Sequence, residues 1–111
     1  KDGLWLWCGT SLMVTPDGGK SWDKAALEGG GSCEAEYTIR AFVPASDGNY
    51  YVGSRNGVIR SKDGLKWTRV ANTSGFAEGT DGGIPFLAFD DKHRILYASM
   101  FSGGVARMVV P

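Results

Sequence analysis

Thr15-Pro16-Asp17-Gly18-Gly19-Lys20-Ser21-Trp22 returns 46 positions later, in shortened form, as Ser61-Lys62-Asp63-Gly64-Leu65-Lys66-Trp67. Each stretch opens on a hydroxyl, places an Asp two residues on and a Gly directly after it, and reaches a Trp four or five positions beyond the Asp. These are the residues of a β-hairpin turn. Asp tolerates unusual backbone angles and accepts hydrogen bonds from nearby backbone N–H groups. Gly supplies a positive φ without steric conflict. The Trp opens the following strand, and its ring can fold back over the turn. The second copy is one residue shorter and carries Leu65 where the first has a Gly, so its turn is expected to be tighter.

The repetition extends beyond the turns. Ile39-Arg40-Ala41-Phe42-Val43 aligns with Ile84-Pro85-Phe86-Leu87-Ala88, and Asn49 to Ser54 aligns with Arg94 to Ser99, both at an offset of 45. A period of this length holding about four short strands is the signature of a propeller blade. With the strands of a blade lettered a to d from inside to outside, a first unit has b at Leu4 to Gly9, c at Leu12 to Thr15 and d near Ser21 to Ala25. The second has a at Tyr37 to Val43, b at Tyr50 to Gly53, c at Val58 to Ser61 and d at Lys66 to Val70. The third has a at Ile84 to Phe89, b at Ile95 to Ser99 and c at Val105 to Val110. Met108-Val109-Val110 replaces the hydroxyl and Asp in this last unit, so it has no such turn. No stretch sustains a helical period.

Composition agrees with an all-β chain. The sequence has 111 residues, of which 17 are Gly, and 12% are aromatic, which favours many turns and pleated surfaces. Twelve basic and twelve acidic residues leave a formal net charge of zero, which argues against a nucleic-acid surface. No apolar run approaches the length of a membrane-spanning helix. The sequence has no initiator Met and no signal-peptide pattern, so a processed or excised chain is expected. Cys8 and Cys33 are the two cysteines; they are either a single disulfide or two unrelated buried thiols. Asn72-Thr73-Ser74 is an N-glycosylation acceptor pattern, consistent with an extracellular, secreted origin.

The two turns, set in a repeat of this length, resemble the Asp-box, or BNR repeat, of sialidase-like β-propellers. The resemblance implies that Thr15, Asp17, Gly19 and Trp22, with Ser61, Asp63, Gly64 and Trp67, are structural turn residues rather than catalytic ones. It also implies a partial β-propeller of about two and a half four-stranded antiparallel blades. These are residues 1–25 (strands b to d), residues 37–70 (complete) and residues 84–110 (strands a to c). Closed propellers use about four to eight blades. The remainder is expected from the rest of a longer chain or from other copies, as a homo-oligomer or a polymer.

Residues for chemistry are few. His93 lies in the turn Asp90-Asp91-Lys92-His93-Arg94 and reads as a solvated turn residue. Cys8 and Cys33 lack the spacing of a zinc motif, and no metal or other cofactor is expected. Gly29-Gly30-Gly31 is not followed by the Lys and hydroxyl of a phosphate loop and reads as a flexible loop. Sialidases use an arginine cluster and carry an Arg-Ile-Pro stretch. Here Gly83 precedes Ile84-Pro85 and Arg40 stands alone, so no catalytic residue is assigned. In propellers the d-to-a and b-to-c loops share the face that binds ligands. That makes Glu34, Glu36, Glu78 and Asp81 the carboxylates to test as acid or base, with Arg40, Arg55, Asn56, Phe76 and Phe101 as candidates to line a ligand surface. Trp5 and Trp7 share one strand face and fit an apolar contact between blades better than a sugar-stacking platform.

The function expected is therefore an extracellular repeat module acting in self-association, in glycan or protein binding, or in both, with no nucleic-acid or membrane partner. The alternative is a fragment of a sialidase-like or xyloglucanase-like glycoside hydrolase whose catalytic groups lie in other blades. A third reading, a small lectin that builds a ring from identical partial propellers, borrows only a strategy known in other lectins.

Overall fold

The computed structural model describes residues 5–8, 11–28, 39, 41–55, 57–71, 73, 84, 86–99 and 104–110. Within them the chain forms strands and turns. The order is β1 (Trp5–Cys8), β2 (Leu12–Thr15), β3 (Asp23–Lys24), β4 (Ala26–Leu27), β5 (Ala41–Pro44), β6 (Tyr50–Ser54), β7 (Gly57–Ser61), β8 (Lys66–Arg69), β9 (Phe86–Asp90), β10 (Ile95–Ser99) and β11 (Val105–Val109). No helix of the described residues is long and apolar enough to cross a membrane.

Three sheets result. Sheet I has the order β1-β2-β3, sheet II β4-β8-β7-β6-β5, and sheet III β11-β10-β9. All pairs are antiparallel neighbours in sequence except one, the parallel pair of β4 and β8. That exception departs from the expectation of four strands in the second unit. The segment expected as one strand near Ser21 to Ala25 pairs with β2 over Asp23 and Lys24, and Ala25 N–H donates to Leu12 O at 2.8 Å. The chain then steps onto sheet II, where Ala26 lies opposite Lys66 and Leu27 opposite Trp67. Ala26 N–H donates to Leu65 O at 2.6 Å, Glu28 N–H donates to Trp67 O at 3.0 Å, and Arg69 N–H donates to the Glu28 carboxylate at 2.8 Å. An otherwise bare edge of β8 is thereby paired. Pro44 ends β5 at the opposite edge of sheet II, where a missing N–H is tolerated.

Strand alternation sends side chains to both faces of sheet II, and along the central strands β6 and β7 both faces are buried. Tyr50, Val52, Ile59 and Trp67 pack with Leu12, Val14 and Ala25 of the sheet I region. Tyr51, Val58, Ala41 and Val70 pack with Ile84, Leu87, Leu96, Ala98 and Val110 of the sheet III region. Sheet II is thus the middle layer. Gly53 is required there: a Cβ would stand 2.9 Å from Ile84 Cβ. The packing also corrects the uniform offset of 45. Tyr50 and Val52 face back toward sheet I, whereas the β10 residues facing back toward sheet II are Leu96 and Ala98, at an offset of 46. A shift of one residue exchanges every side chain between faces, so packing is sensitive to it and sequence similarity is not.

The outer layers differ from the middle one. The outward face of sheet III carries Phe86, 64% exposed, and Val105 and Val109, each 66% exposed. At sheet I, Trp22 is 41% exposed. Trp5 and Trp7 belong to β1, but their side chains lie outside the described residues. Cys8 is disulfide-bonded; Cys33, the only other cysteine in the sequence, lies outside the described residues.

Candidate functional site

The two related turns join β2 to β3 and β7 to β8. In the first, Asp17 is the hub. Thr15 Oγ1 donates to Asp17 Oδ1 at 2.7 Å and accepts from Gly19 N–H at 2.9 Å. Ser21 donates through its N–H to Asp17 Oδ1 at 2.9 Å and through its hydroxyl to Oδ2 at 2.6 Å. The bonds from the Ser21 side chain and backbone, then that from Thr15, lower the Asp17 pKa to about 2. Gly18 and Gly19, at φ 77° and 97°, provide the left-handed positions that the reversal needs.

The second turn repeats this logic in one residue fewer. Ser61 Oγ donates to Asp63 Oδ1 at 3.0 Å and accepts from Gly64 N–H at 2.8 Å. Asp63 Oδ1 accepts from Leu65 N–H at 2.8 Å and Lys66 N–H at 3.1 Å. These two backbone bonds hold the Asp63 carboxyl below the usual range. Only Gly64, at φ 83°, takes the left-handed conformation, and Leu65 does not need to.

The two tryptophans part company. Trp67 is 1% exposed, and its indole N–H donates to Gly64 O at 2.7 Å, so the ring lies over its turn. Trp22 is 41% exposed. The ring folded back over its turn is thus seen at Trp67, while Trp22 is the more exposed of the two. The physical reason is the layer order. Trp67 looks from sheet II toward Leu12 and Val14 of sheet I, and among the described residues no sheet covers Trp22 in the same way.

The loop residues singled out as ligand candidates are for the most part not brought together by any described geometry. Arg55 is an exposed residue of the β6–β7 turn. Glu34, Glu36, Arg40, Asn56, Phe76, Glu78, Asp81 and Phe101 lie outside the described residues, as does Asn72. Beside Arg55, Gly57 has φ 104°, and a Cβ there would stand 2.7 Å from Thr73 O. Thr73 Oγ1 accepts from Val58 N–H at 2.9 Å and donates to Val70 O at 2.8 Å, pinning the chain that leaves β8 against the β6–β7 turn.

Two clusters were not anticipated. Asp47 Oδ2 accepts from the Tyr51 hydroxyl at 2.8 Å and lies 3.4 Å from Arg94 Nη1, which joins the β5–β6 turn to the β9–β10 turn. Burial pushes the Asp47 carboxyl up, but bonds from Asn49 and Tyr51 and the Arg94 charge outweigh it and hold it low. Burial, then the Asp47 bond, raises the Tyr51 phenol. The second cluster is basic: Arg60, Lys62 and Lys66 line a groove beside the second turn. Their alternation within one hairpin was the available signal, but it pointed to no partner. His93 is exposed, with Nδ1 2.9 Å from Asp90 Oδ2. Among the described residues, no three His, Cys, Asp or Glu side chains are grouped so as to hold a metal ion. Comparisons of the chain with protein-family models, with curated proteins and with solved structures return no match.

Proposed function

We propose that this chain is a run of consecutive blades of an Asp-box β-propeller, and that it works as an extracellular association module completed by further sheets of the same kind. Those sheets come from other copies or from the rest of a longer chain. Three features support this reading: hairpin-by-hairpin strand order in successive sheets, the hydroxyl–Asp–Gly–Trp turn at the same place in two of them, and a bonded Cys8, which suits an oxidising compartment. Glycans or proteins are then the partners for the loop side.

The observation that carries it is the contrast between layers. The central strands of sheet II, β6 and β7, are buried on both sides, whereas sheet III leaves Phe86, Val105 and Val109 exposed on its outward face. These three side chains share one face, with Arg107 between Val105 and Val109, and exposed apolar side chains grouped on one face mark an interaction surface. Sheet II supplies the template for its cover, since the Tyr51 and Val58 side of its central strands is covered by the next sheet. The test is the native mass of the 111-residue chain by light scattering and sedimentation across a concentration series. Closed multiples or a growing polymer support completion by copies. A monomer at every concentration that also fails to bind a hydrophobic dye rules out the open face and the reading with it. A dye-binding monomer assigns the missing sheets to a longer chain. The glycoside-hydrolase alternative has no observation among the described residues in its favour.

A further inference from the structure

We propose that the groove beside the second turn is a binding site for a tetrahedral oxyanion, sulfate or phosphate, either free or as an ester on a larger molecule. The groove has a volume of about 250 Å³ and is lined by Asn49, Arg60, Lys62, Asp63, Lys66 and Thr68 among others. All belong to sheet II or its turns, so the inference does not depend on what completes the outer layers.

Register explains the convergence. Arg60 on β7 lies opposite Thr68 on β8 and opposite Tyr51 on β6, so these side chains share a face. Lys62 and Lys66 flank the β7–β8 turn and close the groove at that end. Three cations therefore meet one carboxylate, in a chain whose formal net charge is zero. That carboxylate is already engaged: Asp63 Oδ1 takes the Leu65 and Lys66 N–H groups and the Ser61 hydroxyl. Arg60 is half-buried beside Tyr51 and lines the groove. Neither Lys62 nor Lys66 forms an ion pair with a described carboxylate.

The donor inventory then selects the ligand. Two ammonium groups, a guanidinium, an amide and a hydroxyl offer many more donors than acceptors, and they approach from several directions. A tetrahedral dianion presents acceptors in all of those directions, and charge-assisted bonds to it are the strong kind. It also relieves the mutual repulsion of the three cations, an effect that weakens as salt shortens the screening length to about 8 Å at physiological ionic strength.

The test is a titration of the chain with sodium sulfate, and separately with phosphate, followed by amide ¹⁵N–¹H shifts, with sodium chloride at matched ionic strength as control. Saturating shifts at Asn49, Lys62, Lys66 and Thr68 are expected with both oxyanions and not with chloride. The double variant K62Q/K66Q should weaken the apparent affinity by about tenfold, while K62R/K66R retains it. Both variants should melt in chloride as the parent does, since these side chains are exposed. Glucose 6-sulfate against free sulfate distinguishes the sources: tighter binding of the ester assigns the anion to a glycan, and equal or weaker binding assigns it to the free ion. Shifts that grow linearly, that chloride reproduces, or that K62Q/K66Q leaves intact overturn the proposal.

Discussion

Replacing the two turn tryptophans separately gives the sharpest test of the layer order. Trp67 is 1% exposed, packed between Leu12, Val14, Tyr50, Val52 and Ile59, and bonded to Gly64 O. Trp67→Ala removes the largest buried side chain of that cluster and leaves a carbonyl without its donor. Truncations of this kind cost about 3–5 kcal/mol. Trp22 is 41% exposed. Trp22→Ala should therefore cost less than half as much, about 1–2 kcal/mol, in the dilute chain. Trp67→Phe separates the two contributions at the buried site, because it keeps most of the ring and loses the N–H, at about 1–3 kcal/mol. The assay is urea unfolding followed by far-ultraviolet circular dichroism, so that loss of a fluorophore does not distort the signal. If Trp22→Ala at low concentration destabilises as much as Trp67→Ala, the two turns occupy equivalent buried positions and the assignment of Trp22 to an uncovered flank is wrong. A Trp22→Ala penalty that grows with protein concentration would locate the contact that copies make.

Acid should weaken the fold through its turns. Asp17, Asp63, Asp47 and Asp90 all have carboxyls held below their ordinary pKa of 3.8, Asp17 at about 2. A depressed carboxyl contributes stability above the unfolded value and loses it as pH falls through the folded one. The melting temperature should therefore drop between about pH 4 and pH 2, and the slope should be visibly shallower in the Asp17→Asn/Asp63→Asn double variant; an unchanged slope excludes the turn carboxylates as its source. Gly57→Ala should be far worse than Gly104→Ala, although both positions have positive φ. At Gly57 the added Cβ also meets Thr73 O at 2.7 Å, which together should cost about 2–5 kcal/mol, whereas at Gly104 nothing among the described residues lies within 4 Å; equal losses in urea midpoint would refute the close approach.

What the amino-acid order decided on its own was local. Asp17, Asp63 and their hydroxyl and glycine neighbours encode the two turns through bonds spanning two to four residues, and such bonds are legible from spacing. Short apolar strands separated by turn residues, from Tyr50 to Ser61 and from Ile95 to Val109, encode hairpins for the same reason, because pairing partners lie close in the chain. The tertiary structure alone decided which copy of a repeated residue is sheltered. Trp22 and Trp67 close related turn sequences and have different surroundings, since burial depends on which sheet stands opposite. It also decided the step of Ala26 and Leu27 onto β8, the bond of Tyr51 to Asp47 beside Arg94, and the meeting of Arg60, Lys62 and Lys66 around one groove. Local spacing does not encode such contacts between separate hairpins and layers, because they arise only when a β-branched or aromatic face finds another to cover it, and the polar groups at its rim come together as a consequence.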